Sequence, residues 1–238
     1  MPFSKQVALR YNVTMVKTSS ISPQSVSPTL LHYIDTKIFP LYQKNEPGHG
    51  ISHIKYVIRR SFQFAQSVPN LNPDIIYTVA AYHDLGHHID YKHHEVVSAQ
   101  IVRDDRNLPN FFSKSDIITI AEAVEDHRSD SQSEPRSIYG KIIITADRNI
   151  NINAILRCTY HYRLEHYPHF TLAEIIEDSR QHLRDKYGKQ GYARDSSYFP
   201  DPESDRACVE LDKLVSDPVA FTRRYCTVNH LIPPTSPR

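Results

Sequence analysis

The chain has 238 residues, with 28 basic and 27 acidic side chains and a mean hydropathy of −0.50. The charges balance and form no basic block, which argues against a nucleic-acid polymer or an anionic membrane as a partner. There is no apolar run of the roughly 18 residues that a transmembrane helix needs. Only six glycines are present, so a glycine-rich phosphate loop is not expected and a helical protein is favoured.

The cysteine content and the N-terminus both favour a cytoplasmic protein. Cys158, Cys208 and Cys226 are far apart and form no C-x-x-C pair, which is typical of reduced thiols in a cytosolic chain. The N-terminus carries cationic residues but no apolar segment, so no secretory signal peptide is expected. Histidine is abundant, with 14 residues.

The N-terminal part is predicted to be an arm followed by two helices. Residues 1–28 end in a serine- and proline-rich stretch that indicates a linker or a loosely held arm. Residues 29–44 carry apolar side chains at helical spacing, with Thr29 as a candidate N-cap and a kink or an end expected at Pro40. Residues 48–68 have the apolar stripe of a longer amphipathic helix.

The following segments alternate helices with polar loops. Pro73 suits a first helical position, and a mostly apolar, buried helix is expected to continue over residues 74–84. Ser115 is a candidate cap for one of the later helices. These later helices are predicted over residues 94–104, 115–127, 138–150, 172–187 and 205–225. We therefore expect an all-α protein, with a helical bundle over residues 29–165 and a C-terminal helical extension over residues 166–238.

Six residues that can bind metals fall on or at the ends of these predicted helices. Imidazole nitrogens and carboxylate oxygens are ligands that borderline divalent metals accept, and the interior of a helical bundle commonly holds such sites. In chain order the residues are His53, His83, Asp84, His94, His127 and Asp147. This order, H…HD…H…H…D, resembles the HD-domain superfamily of metal-dependent phosphohydrolases, over roughly residues 49–150.

The resemblance implies that these six residues are metal ligands, and it leaves two arrangements open. In the first, two ions bind and Asp84 bridges them. In the second, one ion is held by His53, His83, Asp84 and Asp147, because the gap between Asp84 and His94 is short, and His94 and His127 then face the substrate. The expected metal is Mn, Fe, Co, Mg or Zn. His49 is a weaker ligand candidate that shares a helix face with His53, and Glu95 is a candidate to support the ligands. His87, four residues after His83, is a candidate to line the site or orient a ligand, although a place in a surface loop is the favoured interpretation.

The function that the resemblance implies is hydrolysis of a small phosphorylated metabolite, with a nucleotide as the leading substrate, by water that the metal activates. Asp84, His94 and His127 are the expected catalytic residues. Arg128, Arg148 and Lys141 are the expected phosphate-binding residues, with Arg59 and Arg60 as further candidates. Two other functions stay open: a di-iron oxygenase of the same superfamily, and a metal-containing module that senses a ligand with little turnover.

The expected partners follow from the same features. We predict a small phosphorylated substrate, no nucleic-acid polymer and no membrane. Residues 166–238 carry no motif, and three roles are open for them: a cap over the pocket, the surface of a homodimer, or a cover for the core.

Overall fold

The computed structural model describes residues 21–128, 133–148, 151–191 and 197–234. These residues form helices and connecting turns without a strand, which confirms the all-α fold class. None of the described helices is both long and apolar enough to cross a membrane. The α-helices of the described residues are α1 (Pro28–Tyr33), α2 (Ile51–Ala65), α3 (Pro73–Tyr82), α4 (His94–Asp104), α5 (Lys114–Glu125), α6 (Ile138–Ala146), α7 (Ile152–His166), α8 (Leu172–Tyr187), α9 (Pro202–Ser216) and α10 (Pro218–Val228).

Local capping explains where two of the central helices begin. Pro73 occupies the first turn of α3, as predicted, and the Asn72 side chain accepts a hydrogen bond from the Asp74 backbone N–H at 2.9 Å. The predicted cap of α5 is wrong by two residues. Ser113, not Ser115, accepts from the backbone N–H of Asp116, and the Asp116 carboxylate accepts in return from Ser113. This reciprocal capping box satisfies two N–H groups that lack partners within the helix.

The segment predicted as one helix over residues 29–44 changes its hydrogen-bonding period twice. After α1 the chain forms a π-turn over Ile34–Ile38 and a 3-10 turn over Phe39–Lys44. Pro40 has no N–H group to donate, and its ring crowds the preceding turn, so a regular α-helix cannot continue through it. Thr29 is not the N-cap, because α1 begins at Pro28 and Ser27 precedes it.

The C-terminal part also differs from the prediction in two places. Helix α8 spans the predicted range, but α7 was not predicted. The helix predicted over residues 205–225 is in fact two helices, α9 and α10. They separate at Asp217, whose side chain accepts from the backbone N–H groups of Val219 and Ala220 and so caps α10.

Buried apolar side chains form two clusters that follow one another along the chain. The first cluster runs from Val26 to Ala146 and is supplied by α1 to α6 with their connecting turns. The second runs from Ile152 to Cys226 and is supplied by α7 to α10. The predicted domain boundary after residue 165 stays a prediction. Residues 1–20 of the predicted N-terminal arm lie outside the described residues.

A buried ion pair joins the two clusters. Arg60 of α2 is fully buried, and its guanidinium donates to the carboxylate of Asp201, which caps α9. The carboxylate of Glu203 lies 3.5 Å from the same guanidinium. The interpretation of Arg60 as a phosphate binder is therefore wrong, because its charge is used to fasten α9 to the first cluster. Arg59 is exposed and lies over the ring of Tyr56.

Candidate metal centre

The six predicted ligands meet because each lies at a helix end or first turn that faces the same point. His83 directly follows α3, Asp84 comes next, and Asp147 directly follows α6. His94 is the first residue of α4, and His127 lies just beyond α5. His53 lies in the first turn of α2. The bundle packing of these helices thus places imidazoles and carboxylates from five of them around one centre.

Four of the residues form a first group around one oxygen of Asp84. The Oδ2 atom of Asp84 lies 3.5 Å from His53 Nε2 and 3.4 Å from His83 Nε2. The Oδ1 atom of Asp147 lies 2.9 Å and 3.6 Å from the same two nitrogens. Two imidazole nitrogens and two carboxylate oxygens are therefore close enough to face a single cation.

The other oxygen of Asp84 faces a second group. Its Oδ1 atom lies 3.6 Å from His94 Nε2 and 3.5 Å from His127 Nε2, and these two nitrogens are 3.1 Å apart. The structure therefore brings all six predicted residues together, with Asp84 between the two groups. Of the two predicted arrangements, this geometry favours the one in which Asp84 bridges two ions.

Few residues lie between Asp84 and His94, yet both can reach the same centre. Gly86 makes this possible, because it lets the connecting turn pack closely against α4. A Cβ atom at Gly86 would lie 2.7 Å from the backbone oxygen of His94 and 2.8 Å from the backbone nitrogen of Ser98. The Gly86 N–H donates to the Ser98 hydroxyl at 2.9 Å. This close approach places His94 beside Asp84 with few intervening residues.

Backbone carbonyls fix which ring nitrogen of three histidines points to the centre. The Nδ1 atoms of His83, His94 and His127 lie 3.0, 3.0 and 2.6 Å from the carbonyl oxygens of Ala80, Tyr91 and Val124. Each Nδ1–H therefore donates to the backbone, so Nε2 keeps its lone pair in the neutral ring. A hydrogen bond of this kind orients metal-binding imidazoles in proteins.

Buried polar atoms that lack aligned hydrogen bonds support a cation at the first group. Within the described residues, His53 Nε2, His83 Nε2 and Asp84 Oδ2 are buried without such a bond. Burying polar atoms in this state costs free energy that a bound metal would offset. The donor set of imidazole nitrogens and carboxylate oxygens fits a borderline divalent transition metal. The residues present therefore fit the ion that the resemblance implies.

The local electrostatics keep both carboxylates ionised. Burial alone would raise the pKa of Asp84, but the neighbouring His83 and His127 imidazoles outweigh burial and hold this pKa well below its usual range. Burial likewise opposes ionisation of Asp147, and His53 and His83 outweigh it, so the pKa of Asp147 is also lowered. The pKa of His94 is lowered by burial and by His127, which favours the neutral ring that a metal needs.

Five of the six residues, all except the fully buried His83, line a cavity of about 720 Å³. Helices α7 and α8, which carry no recognised motif, supply much of its far wall. Arg128 and Arg148, two of the predicted phosphate binders, line the cavity together with Lys92 and Lys186, and their phosphate-binding role stays a prediction. Four tyrosine rings also line the cavity, those of Tyr91, Tyr162, Tyr167 and Tyr187. Positive charge and aromatic surface therefore lie in the same cavity as the metal-binding groups.

Lys141, like the further candidates Arg59 and Arg60, does not line this cavity. Its ammonium lies 3.9 Å from the carboxylate of Glu134 and 5.3 Å from the centre of the Tyr198 ring. Lys141 lies in α6, the helix that ends just before Asp147, but on another part of its surface. Glu95 lies 3.4 Å from the Arg128 guanidinium and 3.8 Å from His94 Nδ1.

Glu46, His49 and His87 also line the cavity, beside the predicted ligands, and the sequence did not identify them as a group. His87 was assigned to a surface loop, but its side chain is only 5% exposed and its ring stacks on His49 with centroids 3.8 Å apart. Glu46 lies 3.1 Å from His49 Nδ1. Burial and the neighbouring His49 lower the pKa of His87 to about 4. The i,i+4 spacings of His49 with His53 and of His83 with His87 were the available clue.

Comparison with known protein families agrees with the geometry. The family model of the HD domain matches residues 50–151. That segment contains all six convergent residues, whereas Glu46 and His49 precede it. Comparisons with curated proteins and with solved structures gave no significant match. The order of the six residues, their convergence at the ends of packed helices and the family match together identify residues 50–151 as an HD domain.

Proposed function

We propose that this protein is a metal-dependent phosphohydrolase that acts on a small phosphorylated metabolite. In this proposal His53, His83 and Asp147 hold one divalent ion, His94 and His127 hold a second, and Asp84 contacts both. The observation that carries the proposal is the placement of the two Asp84 oxygens, each of which faces its own pair of imidazole nitrogens. Such an arrangement is suited to a pair of neighbouring cations.

The protein residues supply binding, orientation and charge. Bound divalent ions lower the pKa of water and stabilise the charge that develops on a phosphoryl group. The backbone contacts of His83, His94 and His127 hold their rings in one orientation, which limits reorganisation during the reaction. Arg128 and Arg148 line the same cavity, and we propose that they bind the phosphate oxygens and keep the phosphorus atom close to Asp84.

We further propose that the substrate is a nucleotide. A cavity of about 720 Å³ lies within the range of small-molecule sites. Tyr91 and Tyr162 line it, with ring centroids 5.2 Å apart, and aromatic rings of this kind stack on nucleobases. The net charge of +1 does not favour a nucleic-acid polymer, which is bound through an extended basic surface.

A phosphate-release screen tests this proposal. The chain is stripped of metal, reconstituted with Mn²⁺, Fe²⁺, Co²⁺, Mg²⁺ or Zn²⁺, and incubated with nucleoside mono-, di- and triphosphates. We expect release of phosphate or pyrophosphate with at least one metal. Replacing Arg148 by Ala should raise KM, whereas Lys141→Ala is the matched control and should leave KM unchanged.

Three other outcomes would contradict parts of the proposal. Absence of release from every compound with every metal would argue for the ligand-sensing alternative. Oxygen consumption by the Fe²⁺ form in place of hydrolysis would support the oxygenase alternative. Cleavage of long DNA or RNA in preference to nucleotides would show that the substrate class is wrong.

A further inference from the structure

Glu46, His49 and His87 form a compact cluster outside the set of six ligands. Glu46 directly precedes the 3-10 turn Pro47–His49, His49 is the last residue of that turn, and His87 lies in the turn that follows Asp84. Glu46 Oε1 lies 3.1 Å from His49 Nδ1 and 3.8 Å from His87 Nε2. One side-chain donor atom from each of the three residues falls within 4.8 Å of the others. The cluster therefore joins two segments that are distant in sequence.

We propose that Glu46, His49 and His87 bind a third divalent cation, beside the two groups that share Asp84. The 3.8 Å separation of Glu46 Oε1 and His87 Nε2 is too long for a hydrogen bond. It falls in the range of about 3 to 4 Å expected between two ligand atoms that each lie roughly 2.0–2.2 Å from one ion. The side chain of His87 is 5% exposed, so a polar ring nitrogen is placed where water has little access.

The donor set and the surroundings define the kind of ion. Two imidazoles and one carboxylate suit Zn²⁺, Fe²⁺, Co²⁺ or Mn²⁺ better than Ca²⁺ or Mg²⁺, which prefer oxygen ligands. All three residues line the cavity, so coordination positions left by the protein face its interior. The cluster adjoins the other two groups, because the ring centroids of His49 and His53 lie 5.8 Å apart and those of His87 and His94 lie 5.2 Å apart.

The proposal concerns metal binding and does not depend on the reaction that the protein catalyses. Metal-stripped protein is dialysed against buffered Co²⁺ or Zn²⁺, and the ions bound per chain are counted by mass spectrometry. We expect about three ions in the wild-type chain, about two in Glu46→Gln and in His87→Gln, and about three in His88→Gln. His88 is the matched control, because it is an exposed neighbour whose ring contacts Asn45.

Two of the variants distinguish loss of the third ion from misfolding and from loss of the main centre. The Glu46 side chain is 21% exposed, so Glu46→Gln changes the charge with little change in packing and guards against misfolding of the His87 variant. Asp84→Asn should remove the two ions of the main centre and leave about one, so the third site is counted separately from the proposed hydrolytic centre. A wild-type count of two that stays at two in Glu46→Gln and His87→Gln would overturn the proposal. A count that falls in these variants while no compound releases phosphate would support the third site and refute the phosphohydrolase.

Discussion

His94 Nε2 and His127 Nε2 lie 3.1 Å apart, and both rings direct Nδ1 at a backbone carbonyl. When both rings are neutral, the Nδ1 protons are donated to the backbone and the two Nε2 lone pairs face each other. Lone pairs at this distance repel unless a proton or a cation lies between them. Because Asp84 Oδ1 lies 3.6 and 3.5 Å from these nitrogens, a cation at this position would also contact a carboxylate.

Replacing His127 with Gln should lower the number of bound ions by one and leave the first group occupied. The amide keeps polar atoms near Asp84 but lacks the imidazole nitrogen that a transition metal favours. Phosphate release should fall about tenfold or more. Ion counting together with the release assay gives the answer. His93→Gln is the control, because that exposed ring pairs with Asp90 and not with Asp84. An unchanged ion count in His127→Gln would show that His127 does not hold a second ion.

Replacing Gly86 with Ala should disturb the second group without touching any ligand. The added Cβ would lie 2.7 Å from the His94 backbone oxygen and 2.7 Å from Val97 Cβ, so α4 must shift. We expect a loss of about 1–3 kcal/mol in the free energy of unfolding and weaker binding of one ion. Denaturant unfolding and ion counting measure the two effects. Ser98→Ala is the control, because it removes the hydrogen bond from Gly86 N–H without adding an atom. This variant should bind as many ions as the wild type. Equal loss of ions in both variants would refute the steric explanation.

The pair of Arg60 and Asp201 should contribute strongly to stability because it is buried and joins the two apolar clusters. Removing one partner leaves an unpaired buried charge, so Arg60→Met and Asp201→Asn should each cost about 3–5 kcal/mol. Asparagine can still cap α9, which separates loss of charge from loss of the cap. In denaturant unfolding the double variant should cost clearly less than the sum of the two. Arg59→Met is the exposed control and should change stability by about 0.5 kcal/mol or less. Additive losses would show that the two residues are not coupled.

Asp105 should make stability depend on pH in the acid range. Burial raises its pKa, but the hydroxyls of Tyr33 and Tyr82 donate to its carboxylate at 2.5 and 2.6 Å, and the net pKa is lowered. A lowered folded-state pKa stabilises the fold above the unfolded-state value of about 3.9, and this contribution is lost as the pH falls through the folded-state value. Asp105→Asn should therefore cost about 1–2 kcal/mol at pH 7, and its stability should approach that of the wild type on acidification. Thermal unfolding from pH 7 to pH 3 would show this convergence, with exposed Asp104→Asn as control. A constant difference across that range would contradict the assignment.

The convergence of the six residues could be anticipated from the sequence because they belong to short segments with strong local preferences, and their role as metal ligands stays a prediction. Most of these residues follow or begin a helical run, so the packing of the helices brings the helix ends towards one another. His83 and Asp84 are the clearest case, since α3 is buried from Ile75 onwards and ends directly before them. The boundaries of α3 and α4 were predictable for the same reason: Pro73 marks the first turn of α3, and α4 occupies the predicted residues 94–104.

What the sequence could not predict depends on contacts between distant segments. The buried position of Arg60 depends on its ion pair with Asp201, the N-cap of α9, and no local pattern links the two. His87 looked like part of a polar loop, but His49 and Tyr91 cover its ring. The placement of α7 and α8 on the wall of the cavity arises from tertiary packing, and so does the position of Lys141 away from it. The position of Asp84 between the two groups depends on the close approach at Gly86, which a count of intervening residues does not show.

The most direct test of the central claim compares metal content and phosphate release in wild-type protein and in Asp84→Asn. Wild-type protein should bind divalent metal at the main centre, lose phosphate release on treatment with a chelator and recover it when metal is restored. Asp84→Asn should lose both ions of the main centre and phosphate release together, because one carboxylate faces both imidazole pairs, while exposed Asp104→Asn should behave as wild type. Full occupancy of the main centre and full turnover in a folded Asp84→Asn variant would contradict the account.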